Sequence, residues 1–265
     1  MSGLTWGGEE GDTLAISYSS PHFLGSEDFS SCDAFLFSLR DPTTFSGRLW
    51  SESCVTSVQF QPQSGAVVGG GCQSGAVCCW DTRLGGVRAR SLSSSSHSDT
   101  VLGLAWTTSK TSTEMMTASR DGTVKFWDIR HFSRPLNTFI LDLDNKDLTS
   151  QGDSERAQSI SFLEFTSTIP SMFSLGTEGG GLVTCSRKAR SQPETMTGRF
   201  SGHCGAVRYI ERNPAFSKGG SGNIPLFRER LSEYIQGHVS EGMFLRDTWS
   251  VFGQSGRLEC EGVGR

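Results

Sequence analysis

The chain has 265 residues, enough to bury a sizeable core, and a formal net charge of −4 that gives no electrostatic drive toward nucleic acid or an anionic membrane. Its 32 glycines, 8 prolines and 35% hydrophobic content suit many short strands joined by tight turns, because glycine costs roughly 1 kcal/mol inside a helix. There is no apolar run of about 18 residues, and the start at Met1 lacks a basic segment followed by an apolar one, so neither a membrane helix nor secretion is expected.

Strand-like alternation begins at residues 4–6, 13–18 and 34–37, where Phe37 closes the group. Residues 55–60, 66–69 and 75–81 follow, and the last of these ends on Trp80-Asp81, with a fourth strand predicted at 87–91. The same order returns at 101–106, 114–119 and 122–128, which ends on Trp127-Asp128, 47 residues after the first such pair, with a fourth strand at 136–141. A further round occupies 160–165, 171–177 and 181–185, with Cys185 at the tryptophan position. Gly202-His203 then opens another, whose first strand is 206–214. A period of two marks half-buried strands, and four short strands in about 45 residues make one blade of a propeller.

The expected fold is therefore all-β, a partial WD-repeat propeller of about four blades plus a stub. The units are approximately 1–50, 51–95, 96–143, 155–200 and a partial 201–218. Residues 219–265 lack the repeat and read as an irregular tail. Apolar positions at 227, 231, 234 and 235 predict a short helix over 227–235.

One unit carries the full polar pattern of a WD repeat: His97 opens it, Ser119 ends its second strand, Asp121 lies in the next turn and Trp127 is on the third strand. In WD repeats these form a hydrogen-bonded chain from the histidine through the aspartate and serine to the indole, and a buried aspartate must be paired in this way. His97 and Ser119 as catalytic base and nucleophile are the weaker alternative, since the structural tetrad accounts for the spacing. The preceding unit is degenerate, with Cys72 and Ser74 at the matching positions.

The eight cysteines include no C-x-x-C pair, and most sit singly in strands as small hydrophobes do in reduced proteins, so neither a metal nor any other cofactor is expected. A hydrolase using Cys204 with His203 is disfavoured, because adjacent residues do not readily form a nucleophile–base pair, and no phosphate loop or nucleophile elbow is present.

Several stretches go beyond the generic repeat. Residues 69–83, Gly-Gly-Gly-Cys-Gln-Ser-Gly-Ala-Val-Cys-Cys-Trp-Asp-Thr-Arg, resemble a segment of axonemal dynein intermediate chains, and residues 118–130 and 141–143 are similar to the blade that follows in that family. Residues 161–170, 176–178 and Cys185-Ser186-Arg187-Lys188-Ala189 resemble the outer-arm subclass in particular, with the inner-arm chains next. The resemblance covers roughly residues 1–218, and it implies a chain truncated at both ends relative to the family.

By that resemblance the protein is expected to be a non-catalytic scaffold subunit in the cytoskeleton of the ciliary or flagellar axoneme. Its expected partners are dynein heavy chain, a second intermediate chain and light chains, and through them the microtubule doublet, with no nucleic acid or membrane. A generic WD-repeat adaptor outside cilia is the alternative. Between Val183 and Lys218 there are seven Lys or Arg against two Glu, so Arg187, Lys188 and Arg190 form a candidate patch for an acidic partner, with an ordinary solvated face as its bland counterpart.

Overall fold

The computed structural model describes residues 2–8, 11–19, 33–84, 86–107, 113–143, 156–165, 171–188, 195–212 and 227–228. Their elements are all strands, and they form four four-stranded antiparallel sheets, each built from consecutive strands. Blade 1 comprises β1 (Gly3–Gly7), β2 (Thr13–Ser17), β3 (Ala34–Ser38) and β4 (Asp41–Leu49). Blade 2 comprises β5 (Val55–Phe60), β6 (Val67–Cys72), β7 (Val77–Asp81) and β8 (Gly86–Arg90). Blade 3 comprises β9 (Val101–Trp106), β10 (Glu114–Ser119), β11 (Thr123–Asp128) and β12 (Asn137–Ile140). Blade 4 comprises β13 (Ile160–Phe165), β14 (Met172–Thr177), β15 (Gly181–Ser186) and β16 (Met196–Ser201). This is a run of propeller blades, all-β and of the WD-repeat kind.

Two further strands, β17 (Glu211–Arg212) and β18 (Phe227–Arg228), pair antiparallel. The helix expected over 227–235 is thus corrected at its first two residues, which extend along β17, and its remainder lies outside the described residues.

Blades stack face to face, and each interface is asymmetric. Register places Phe60 opposite Val68 and Val68 opposite Trp80 in blade 2. The same three positions hold Trp106, Met115 and Trp127 in blade 3, then Phe165, Phe173 and Cys185 in blade 4. These large side chains press on small residues of the preceding blade. A Cβ on Gly7 would fall 2.1 Å from the Phe60 ring, and one on Gly69 would lie 3.1 Å from the Trp106 ring. One on Gly103 would lie 2.5 Å from Leu163 Cβ. Close packing of this kind makes every added methyl felt.

Along the first strands, hydroxyls bind one blade to the next. Ser2 Oγ donates to the Val55 carbonyl at 3.3 Å, Thr56 Oγ1 to the Val101 carbonyl, and Ser161 Oγ to the Val207 carbonyl at 2.6 Å. Ion pairs add to this at the periphery: Arg120 in the blade 3 turn meets Glu178 in the blade 4 turn at 3.0 Å.

The turns between second and third strands need glycine twice over. Gly75 and Gly180 have φ of 82° and 83°, and a Cβ on either would fall 2.1 Å from the carbonyl oxygen of His97 or His203. Positive φ and close backbone approach both exclude larger residues there.

Candidate functional site

The polar cluster of blade 3 grows out of strand parity. Thr117 and Ser119 lie on the same face of β10, the face that also carries Met115, and both are fully buried. Trp127 sits opposite Met115, two pairs from Thr117, which faces Lys125. Leaning along its strand, the Trp127 indole donates from Nε1 to Thr117 Oγ1 at 2.8 Å. His97 Nε2 lies 2.7 Å from that same oxygen, and His97 Nδ1 lies 2.9 Å from Thr123 Oγ1 and 3.4 Å from Asp121 Oδ2.

One proton arrangement satisfies all of these groups. The indole N–H donates to the Thr117 hydroxyl, which donates to His97 Nε2, and Nδ1–H donates toward Thr123 and Asp121. Asp121 also accepts from the Thr123 amide at 2.8 Å, the Thr123 hydroxyl at 2.7 Å and the Ser98 amide at 2.9 Å.

The structure thus brings His97, Asp121 and Trp127 together, but the hydroxyl between histidine and tryptophan belongs to Thr117 and not to Ser119. Beyond a bulge at Ala118/Ser119, the Ser119 hydroxyl donates to the Asp99 carbonyl at 2.9 Å and accepts from the Asp121 amide at 3.2 Å, so it shapes the turn. The signal for Thr117 is a hydroxyl four residues before the turn aspartate, whereas the expected Ser119 lies two residues before it.

The neighbouring blades show why the relay is local. In blade 2 the Thr117 position is Gly70, where a Cβ would fall 2.4 Å from the Trp80 ring, and the Trp80 indole donates to the Trp50 carbonyl at 2.9 Å. In blade 4 the tryptophan position is Cys185, which has no indole N–H to satisfy, and apolar Leu175 fills the hydroxyl position. Trp-Asp aspartates play a different role from Asp121. Asp81 accepts from the Arg83 amide and side chain at 3.1 Å, and Asp128 accepts from the Arg130 amide at 3.0 Å and its guanidinium at 2.8 Å, closing the turn after the third strand. Arginine beside each carboxylate holds it below the usual range.

Burial pushes the His97 pKa below its ordinary value, against the opposing pull of Asp121, so the imidazole is neutral at physiological pH. Burial alone would raise the Asp121 carboxyl, but its hydrogen bonds with His97, Thr123 and Ser98 outweigh this and hold it low. The pair is a structural tie held in one protonation state. Nothing in its geometry presents the imidazole to a substrate, since the side chain of His97 is fully buried.

The candidate basic patch is divided by the structure. The Arg187 guanidinium pairs with Glu114 of blade 3 and stacks on the Phe126 ring, 5.3 Å from its centroid, so it ties two blades together. Lys188 is exposed, and Arg190 lies outside the described residues. Among the cysteines, Cys72, Cys78, Cys79 and Cys185 are buried free thiols and Cys204 is an exposed one. Cys54 departs from the reduced set expected, because it is disulfide-bonded. Burial pushes the Cys79 thiol up to about 12, which suits packing and not reactivity. Among the described residues no group of three or more His, Cys, Asp or Glu side chains converges as a metal site would require.

Fold and relay define the class: these are WD-repeat blades, whose specific features lie in what each blade keeps or loses of the polar pattern. No protein-family profile matches the chain. Across 216 residues, 81% of the chain, it is 38% identical to human dynein axonemal intermediate chain 2, and over an equal stretch 35% identical to ciliary dynein intermediate chain 3 of Heliocidaris crassispina. It is 29% identical over 208 residues to the 70 kDa intermediate chain of the flagellar outer arm of Chlamydomonas reinhardtii. Over these residues the chain is homologous to the axonemal dynein intermediate chains. It spans about a third of the length of the curated relatives it matches, 35% in each of these three.

Replacing Thr117 by Val keeps the shape and leaves the Trp127 N–H and His97 Nε2 buried without their partner, which is expected to cost about 3 kcal/mol in urea unfolding. Ser119→Ala should cost about 1 kcal/mol. Equal costs, or a larger cost at Ser119, would return the relay to the serine.

Because the folded pKa of His97 is depressed, the unfolded chain takes up its proton first as pH falls below the ordinary 6.5. Stability contributed by the neutral buried imidazole is complete above that pH and is lost below it, by at most about 1.4 kcal/mol per pH unit for one proton. Urea midpoints measured between about pH 8 and pH 5 should fall with acidity, and the fall should be shallower in His97→Gln. A parallel fall in both proteins would assign the acid sensitivity elsewhere.

Proposed function

We propose that the chain is a non-catalytic WD-repeat scaffold subunit of an axonemal outer-arm dynein complex. In this role it binds dynein heavy chain, a second intermediate chain and light chains, and through them serves microtubule-based ciliary or flagellar motility. The observation that carries this reading is the homology over 81% of the chain to axonemal and ciliary intermediate chains, and over 77% to one named for the flagellar outer arm.

The physical features support a scaffold. The buried polar groups of blade 3 are spent on one another, the arginines at 83 and 130 are spent on closing turns, and Arg187 is spent on an interblade tie. What is left for partners is a stack of stiff sheets with loops at their ends, a geometry suited to holding large proteins in fixed relation. Lys188 remains at the surface as the exposed part of the basic patch available to an acidic partner.

Fractionation tests the reading. In ciliated or flagellated cells the chain should sediment with axonemes, leave them on high-salt extraction with the outer arms, and co-sediment with heavy chain. Recovery only in the soluble cell fraction, free of heavy chain, would instead favour an adaptor outside cilia.

A further inference from the structure

Cys72 and Cys78 bring two free thiols together in the core between blades 1 and 2. Cys72 ends β6 and Cys78 lies in β7, and both are at most 1% exposed. Their sulfurs are 4.0 Å apart, and Ser51 Oγ lies 3.2 Å from the first and 3.9 Å from the second. Arg90 stands directly opposite Cys78 on β8, so its side chain leaves the sheet on the same face. The hydrogen bond with Cys78 holds the Cys72 thiol below its ordinary range, and Ser51 and Arg90 add to this against burial. The same bond and burial push the Cys78 thiol up. One proton shared between two sulfurs beside a guanidinium marks a place that a soft cation can take.

Register decides which chemistry fits. Gly70 faces Cys78 and Gly71 faces Val77, which makes Cys72 a diagonal neighbour of Cys78. Such neighbours stand about 7–8 Å apart at Cα, beyond the about 6.8 Å that a disulfide spans, so joining the sulfurs directly would require the hairpin to move. A bridging ion requires no movement, since two metal–thiolate bonds of about 2.3 Å reach across as much as about 4.6 Å. Zinc is a poor occupant: it takes four ligands, and among the described residues no third His, Cys, Asp or Glu joins the pair. Two thiolates alone suit copper(I), a soft closed-shell cation that they suffice to hold.

We propose that Cys72 and Cys78 form a two-coordinate copper(I) site with Arg90 as its counter-charge. Both thiols lose their protons to water as the two copper–sulfur bonds form, with no change in oxidation state. The resulting unit carries one negative charge, which the Arg90 guanidinium offsets. Half-buried Ser51 and the exposed Glu52 beside it, paired with Arg90, mark the way in from solvent. The inference rests on the thiol geometry and stands independently of the dynein reading.

Anaerobic titration with copper(I) held by excess bicinchoninate tests it. The whole chain is used with Cys204→Ser, which removes the exposed thiol. One copper per chain should be drawn from the chelator. Affinity should fall at least about 100-fold in Cys72→Ser and in Cys78→Ser, fall about tenfold in Arg90→Gln, and stay unchanged in Cys185→Ala, a buried thiol of blade 4. Anomalous diffraction at the copper edge locates the ion without either cysteine variant, and should place it between the two sulfurs.

Failure to take copper from the chelator, copper at any other position, or undiminished affinity in a folded Cys72→Ser or Cys78→Ser chain would each overturn the proposal. Co-sedimentation with heavy chain, which tests the scaffold reading, is unaffected by any of these results.

Discussion

Burial of a large apolar face against a small one, blade after blade, is the interaction on which this structure depends. A single four-stranded sheet of this size cannot bury both of its faces, so each blade is stable only as its neighbours cover it. Phe60, Val68 and Trp80 have no core of their own; they become a core by resting on Gly7, Ala15 and Leu36 of the blade before. Glycine in β1, β6 and β9 carries a cost in strand propensity that would be unexplained if the sheets stood alone. It is offset by the close approach that lets an aromatic ring or a branched side chain lie on the neighbouring backbone.

The polar tie in blade 3 follows from the same constraint. A tryptophan at the large position brings an indole N–H into the interface, where it must find an acceptor. Blade 3 supplies Thr117 and anchors it through His97 to Asp121; blade 2 supplies a backbone carbonyl at Trp50; blades 1 and 4 remove the requirement by placing Phe37 and Cys185 there. Ile16 and Leu175 at the hydroxyl position of those two blades fit this reading, since with no donor to satisfy an apolar side chain is the better filler. Degeneracy of the repeat is thus a set of consistent local solutions and not a decay of the motif.

Much of this was legible in the residues. Period-two alternation and the two Trp-Asp endings set out the first three strands of each blade, because those strands are half or fully buried and their apolar residues are positioned by the pleat. Outer strands are less legible: β4 is exposed along nearly all its length and carries no such alternation, and β16 alternates half-buried Met196, Gly198 and Phe200 with exposed Thr197, Arg199 and Ser201 but is interrupted by a glycine and has no fully buried residue. Thr117 is hidden behind Ser119 in the sequence because both lie on one face of β10, and only the lean of the Trp127 indole decides between them. Arg187 read as a free charge until the fold set Glu114 and Phe126 beside it across a blade boundary. The asymmetry of the faces was invisible for a related reason. It depends on register between strands, which the order of residues in one strand does not disclose. Homology to axonemal dynein intermediate chains adds what the fold alone withholds, since propeller blades serve many unrelated functions.

The most direct measurement of the central claim is native-state amide hydrogen exchange, which reports how far each strand depends on cover from its neighbours. If face-to-face stacking supplies the stability, the amides of β6 and β10, in blades covered on both faces, should be the slowest to exchange. Those of β2, in a blade covered on one face, should exchange at least about tenfold faster. Equal protection of β2, β6 and β10 would contradict the account, because it would mean that each blade holds itself together.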